Sequence, residues 1–274
     1  MNIRAAIQRH PLIAYFGTVF FIAWAGFLVA VGPGLFMGGT IQPAAALALF
    51  PVMVFSVSAT GIALTGITAG AAGIGELFSR IGRWRVGPGW YAAVLLIPLC
   101  TLLFVLILLS NAVSRDFAPN NFIPGFVFGL IAGGFEEVGW MGFAFPRMLP
   151  RYSPLKAALV LGILWALWHI AVVDALGAAG PHGAYWGAYF LAFALLILAL
   201  RVLIVWVYAN TGSVLLCQLM HACFTGFLVV FGPSHVSAGQ ETLWYAVYAI
   251  ALWIVAAVVI ARLGNRLARS SSGR

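Results

Sequence analysis

Apolar residues run along this chain in long blocks separated by short polar gaps, and the blocks have the length of a bilayer crossing. A helix needs about 20 predominantly apolar residues to traverse the hydrocarbon layer. Eight blocks qualify: Leu12–Val31, Ala44–Ile67, Trp90–Leu109, Phe122–Phe145, Leu155–Leu176, Ala184–Tyr208, Ser213–Phe231 and Leu243–Leu263. Pro33, Pro43, Pro88, Pro154 and Pro181 fall in the gaps, where a residue without an N–H punctuates helices. Pro51 and Pro98 fall inside blocks, where neighbouring helices can satisfy the freed carbonyls. With no internal repeat and no second domain in view, the pattern predicts an all-α membrane protein. It is a polytopic bundle of about eight transmembrane helices with an intramembrane polar cavity. Residues 1–269 form one domain, and residues 270–274 form a solvated, disordered tail. Between the second and third blocks, Ile74, Leu77, Phe78 and Ile81 follow helical spacing with Arg80, Arg83 and Arg85 among them. This predicts a short interfacial helix over residues 74–86, a charged loop being the alternative.

Composition narrows the class. The 274 residues are 64% hydrophobic and 7% charged, with a mean hydropathy of +1.07, whereas a soluble domain carries roughly 25% charged residues. The net charge of +8 would point to nucleic acid in a soluble chain. Here the cations sit at block ends and set topology instead. Arg4 and Arg9, the Arg80–Arg83–Arg85 group, Arg147, Arg151 and Lys156, and Arg262, Arg266, Arg269 and Arg274 lie in alternate gaps, all on one side. They make up twelve of the fourteen Lys and Arg residues. The opposite side holds Arg115 beside Asp116, and Arg201 lies late in the sixth block. The positive-inside rule then predicts both termini in the cytoplasm, with membrane lipid as partner and no nucleic acid. Arg4 and Arg9 ahead of an apolar run imitate a signal peptide. The run is longer than a typical h-region and lacks an Ala-x-Ala site, so it reads as a retained first helix. Cys100, Cys217 and Cys223 all lie in apolar blocks and define no disulfide framework.

Two of the six acidic residues, Glu136 and Glu137, are adjacent inside the fourth block. A carboxylate in hydrocarbon costs several kcal/mol unless it is partnered or hydrated, which marks an intramembrane acid pair as functional by default. His169 lies midway along the fifth block and His221 within the seventh. Counted at the helical rise from the basic side, Glu136 lies at about 16 Å, His169 at about 20 Å and His221 at about 14 Å. Three ionisable groups on three helices thus share one level and are expected to face one cavity. Neighbouring positions on a helix diverge by about 100°, so Glu136 and Glu137 cannot aim at the same point. The i+4 neighbour of Glu137, where a cation would pair with it, is Met141. His221 and Thr225 are also i, i+4 neighbours, as are Trp165 and His169; for Trp165 core packing is the plain alternative. His10, His182 and His235 fall in gaps and read as solvated, and Asp174 as a loop-end carboxylate.

At these residues the chain resembles the CPBP family of intramembrane proteases, which includes CaaX prenyl proteases and bacterial Abi-type proteins. The family pattern is Glu-Glu-x-x-x-Arg, then aromatic-x-x-x-His, then His-x-x-x-Asn. Here it reads Glu136-Glu137-Val138-Gly139-Trp140-Met141, then Trp165 to His169, then His221 to Thr225, with Asn210-Thr211-Gly212-Ser213 ahead of the last. Two positions depart from the pattern. Met141 stands in place of Arg, with Arg147 or Arg201 as possible substitutes, and Thr225 stands in place of Asn.

The resemblance implies an intramembrane endopeptidase. Glu136, with His169, would activate water, while His221 and Thr225 would face the oxyanion and Glu137 would complete the catalytic set. The substrate would be a membrane-associated protein or peptide, lipidated ones included. Either no cofactor or a divalent metal such as zinc on Glu136, His169 and His221 is compatible with this, the metal-free route being preferred because no His-Glu-x-x-His motif occurs. Two other classes stay open: an ion or proton relay through the same residues, and a catalytically inactive membrane adaptor or immunity homologue. The relay lacks the inverted repeat many transporters carry.

Overall fold

The computed structural model describes residues 2–30, 43–173 and 182–268. The ends of the first and fifth blocks, Asp174, Pro181 and the tail at 270–274 lie outside the described residues. Within them every long apolar block is a helix. After a short helix α1 (Ile3–Arg9) come α2 (Pro11–Ala30), α3 (Pro43–Ile81) and α4 (Pro88–Ala112). The fourth block is continuous from Gly125 to Met148 but is not uniform. It comprises α5 (Gly125–Gly139), a π-helical turn (Trp140–Ala144) and α6 (Phe145–Met148). Then follow α7 (Pro154–Val173), α8 (Trp186–Thr211), α9 (Val214–Phe231) and α10 (Ala238–Leu263). Seven of these stretches are long and apolar enough to cross a membrane, and Pro154–Ile170 is a shorter apolar helix. The chain is a multi-pass membrane protein built as an all-helical bundle.

Three details go beyond the apolar pattern. Helix α1 has no buried residue; half-buried Ile7 packs on the core from it and Gln8 Nε2 donates to the Ile67 carbonyl. Helix α3 does not stop at Ile67. It passes Gly70, whose φ of 63° is open to a residue without a Cβ, and resumes in a new direction to Ile81. The interfacial helix expected over 74–86 is therefore the last part of α3, and 82–86 is a turn. The π turn follows the acid pair directly. Such single-turn widenings of an α-helix are frequent at functional sites.

The helices close a ring. Each packs on the next in the order α3, α5, α9, α4, α10, α8, α7, α2 and back to α3, and α8 also touches α9 across the bundle. The tightest joint is α5 on α9. A Cβ at Gly129 would strike the Ala222 carbonyl and the Gly226 amide, and one at Gly133 would strike the Ala222 amide and the Gln218 carbonyl. Small residues four apart let backbones touch in this way, the usual means of joining helices where lipid removes the hydrophobic drive. Gln218 adds a side-chain hydrogen bond across the same joint, donating to the Gly134 carbonyl, and Ser58 of α3 donates to the Phe135 carbonyl.

At the basic end, Ser213 caps α9 by accepting from Leu216 N while donating to the Arg83 carbonyl. Arg80 donates to Tyr208 Oη and to the Gly142 carbonyl, and Arg147 to the Phe143 carbonyl. Two cations thus serve carbonyls of the π turn. At the other end, Gln240 donates to Asp116, and the amides of Asn120 and Phe122 donate to the end of α9. His10 and His235 are exposed, as expected. His182 is not: it is 3% exposed, stacked on Tyr189 at 3.6 Å with Glu241 Oε2 3.5 Å from its Nε2. A residue read as solvated from its place in a gap is covered because the start of α8 lies against α10.

Candidate active site

Glu136 and Glu137 lie at the end of α5, 3% and 0% exposed. The helix turns them apart, so they enter different surroundings. Glu136 Oε2 accepts two indole N–H groups: Trp140 Nε1 at 3.2 Å, one turn on, and Trp165 Nε1 at 2.9 Å, from α7. Glu137 is held by charge and imidazole. Arg201 Nη1 of α8 lies 2.7 Å from its Oε2, and His221 Nδ1 of α9 lies 2.8 Å from its Oε1. Arg201 is 0% exposed and His221 3% exposed. Close geometry is what lets a buried ion pair persist; here the contacts are short, while Arg201 Nε and Nη2 have no hydrogen-bond partner among the described residues.

Trp165 joins the two halves. Its ring lies under the Arg201 guanidinium, 4.2 Å from the ring centre, and meets His169 and His221 edge-on at 5.2 Å and 5.0 Å. Its carbonyl accepts from His169 Nδ1 at 2.8 Å. A carbonyl oxygen only accepts, so Nδ1 carries the proton and a neutral His169 has Nε2 as its bare nitrogen. His169 is half-buried, with Phe193 and Trp168 against its ring. Glu136 and His169 share no direct hydrogen bond among the described residues; both hang from Trp165.

The structure therefore brings Glu136, Glu137, His169 and His221 into one cluster spanning three helices, with Arg201 joining it from a fourth. Thr225 sits one turn beyond His221 on α9, half-buried, and its hydroxyl bonds to no other described residue. Met141 is fully buried in the π turn and brings no charge to Glu137. Of the two alternatives for the missing cation, Arg201 makes the pair. Arg147 instead donates to Thr68 and the Phe143 carbonyl. Arg201, late in its block, is fully buried and points inward. Trp140 and Trp165 serve as donors as well as packing. The signal for them was their spacing, four after Glu136 and four before His169. Cys217 is buried one turn before His221, with Sγ directed at the Ser213 and Ile204 carbonyls rather than into the cluster.

Catalytic zinc takes three protein ligands and keeps a fourth position open. Glu136, His169 and His221 do not converge in that way, and among the described residues no three His, Cys, Asp or Glu side chains stand at metal-holding spacing. Both Glu137 oxygens are already engaged. The donor set as arranged does not fit a three-ligand metal.

Comparison with known proteins agrees with the motif resemblance. Residues 118–227 match the family model described as Rce1-like, type II CAAX prenyl endopeptidase Rce1-like. A protein described as CAAX prenyl protease 2 from Methanococcus maripaludis (strain DSM 14266) is 32% identical over 151 residues, which cover 54% of this chain and 51% of that protein. The chain thus spans about half the length of the curated relative it matches. The family match contains every residue of the cluster, from Glu136 to Thr225.

Proposed function

We propose that this chain, Rce1-like from residue 118 to residue 227, is an intramembrane endopeptidase that hydrolyses a peptide bond of a membrane-associated protein. The observation that carries the reading is the pairing of two proton acceptors on one residue. Glu136 Oε2 is fixed by two indoles, which leaves Oε1 for a water. His169 is fixed through Nδ1, which leaves Nε2. Both are anchored on Trp165, so a water between them is oriented before the substrate arrives, the condition under which general-base help is effective.

Glu136 takes a proton from that water, and the hydroxide oxygen bonds to the scissile carbonyl carbon. The carbonyl oxygen becomes an oxyanion, faced by His221 and Thr225 on α9. A donor in that position is worth about 3–4 kcal/mol. Collapse breaks the C–N bond, and the proton held by Glu136 or His169 passes to the leaving amine. A hydroxyl at Thr225 can supply one such donor.

The name of the relative supports a prenylated protein as the first substrate to try, with unprenylated and tail-anchored peptides as the alternatives. The charge distribution supports cytoplasmic termini, and with them entry of the substrate from the basic side. The experiment is reconstitution of purified protein in vesicles with fluorogenic peptides in prenylated and bare forms. Cleavage by the wild type that disappears in Glu136→Gln and His169→Ala supports the proposal. Proton flux without cleavage overturns it in favour of a relay, and neither activity overturns it in favour of an adaptor. Metal content of the purified protein and cleavage after chelation test the metal-free chemistry separately; stoichiometric zinc and loss of cleavage on its removal would overturn it.

A further inference from the structure

Resting on the peptidase reading, the geometry points to Arg201 as a positioning residue that acts through Glu137 to present His221 to the oxyanion by its Nε2 atom. Arg201, Glu137 and His221 form a continuous buried chain from three helices, with contacts of 2.7 Å and 2.8 Å. A carboxylate held by a guanidinium only accepts, so its bond to His221 fixes the proton on Nδ1. The ring is then set in one orientation, and Nε2 is the atom left for the pocket.

Formal charge completes the picture. Arg201 contributes +1 and Glu136 and Glu137 contribute −1 each, which leaves the buried cluster one positive charge short of balance. An imidazolium at His221 makes the four residues neutral, and a net charge in a low-dielectric site is costly. It also supplies the Nε2–H that an oxyanion requires and that a neutral ring bonded through Nδ1 lacks. Arg201 is thereby what allows Glu137 to stay anionic beside Glu136. Without it two buried carboxylates would compete for the one imidazolium. The chain could not have drawn the cation from Met141, which is buried and apolar on the same helix as the acid pair. Arg201 is the single charged residue of α8.

The test is a mutant cycle with two readouts. Arg201→Met is made in the wild-type and in the Glu137→Gln backgrounds, and kcat and KM are measured on the cleaved reporter. In the wild-type background kcat is expected to fall about 100-fold with KM within about twofold, as for loss of the group that orients a catalytic imidazole. With Glu137→Gln already present, Arg201→Met is expected to cost less than about threefold, since the contact it breaks is gone. Arg201→Lys restores part of the loss. The double variant removes both charges of the pair and keeps the protein measurable where Arg201→Met alone fails to fold.

In parallel, the ¹⁵N shifts of His221, assigned by difference from His221→Asn, report which nitrogens carry protons. Arg201→Met must alter that pattern. An equal cost in both backgrounds, a loss confined to KM, or an unaltered His221 pattern overturns the proposal. A wild type that cleaves nothing while His221 still loses its pattern in Arg201→Met sinks the peptidase reading and leaves the Arg201–Glu137–His221 chain standing.

Discussion

Glu136 and Glu137 share a helix, a burial and a chemistry, yet the two corners of the cluster are built from opposite materials. The Glu136 corner is made of uncharged donors, Trp140 and Trp165, both on one oxygen. The Glu137 corner is made of a guanidinium and an imidazole, one on each oxygen. Indole N–H groups hold a carboxylate in place without cancelling its charge, which suits the base role proposed for Glu136. Arg201 cancels the charge of Glu137, which leaves that residue to hold rather than to react. A hundred degrees of helix separates an acid held by neutral donors from one held by charge.

The contrast predicts that the two glutamates fail differently. Glu136→Gln keeps the shape and loses the base; cleavage of the reporter is expected to fall about 10³-fold or more at unchanged fold, measured by kcat beside a detergent-phase melting curve. Glu137→Ala strands Arg201 as a buried cation, so its main effect is on stability, about 3–5 kcal/mol by denaturant titration in micelles. A Glu136 variant that melts early or a Glu137 variant that folds as well as wild type would erase the distinction. Gly133→Leu pushes α9 away from α5 and is expected to cost about 1–3 kcal/mol through overpacking and to lower kcat with it. Trp165→Phe keeps the ring under Arg201 and removes one of the two donors on Glu136. About 1 kcal/mol, roughly fivefold in kcat, is the expected loss.

The smallest effect lies outside the bilayer. The hydrogen bond from Gln240, with a second from Ser114, holds the exposed Asp116 carboxyl below its ordinary value. A group depressed in the folded state stabilises above its unfolded pKa and loses that contribution as pH falls through the folded value. Asp116→Asn should therefore leave melting at pH 7 nearly unchanged and flatten a slight slope below pH 4. A large change at pH 7 would give that loop more weight than its exposure allows.

The spans and the polar residues that meet inside them were legible because lipid makes the signal coarse. Twenty apolar residues in a row, with a glutamate or histidine in the middle, have few interpretations. The choice of Arg201 over Arg147 as the partner of Glu137 was hidden, because a helix that is apolar all round has no stripe to show which side faces the bundle. The continuation of α3 past Gly70 was hidden by the arginines that follow, which read as the start of a separate element. The burial of His182 was hidden for the opposite reason, since a polar gap gives no sign of what will fold over it. Glycines at 125, 129 and 133 were in plain view at a period of four, and only the close approach of Ala222 and Gly226 shows what the period is for.

That contact of bare main chain on bare main chain has a further consequence. Side chains that fill a gap between helices can change rotamer, and a spacing built on them drifts with temperature and with the thickness of the surrounding lipid. Where atoms of the peptide groups themselves abut, the spacing is set by van der Waals radii. The Glu137 and His221 positions are thus spaced by a rigid gauge that a fluid solvent cannot stretch.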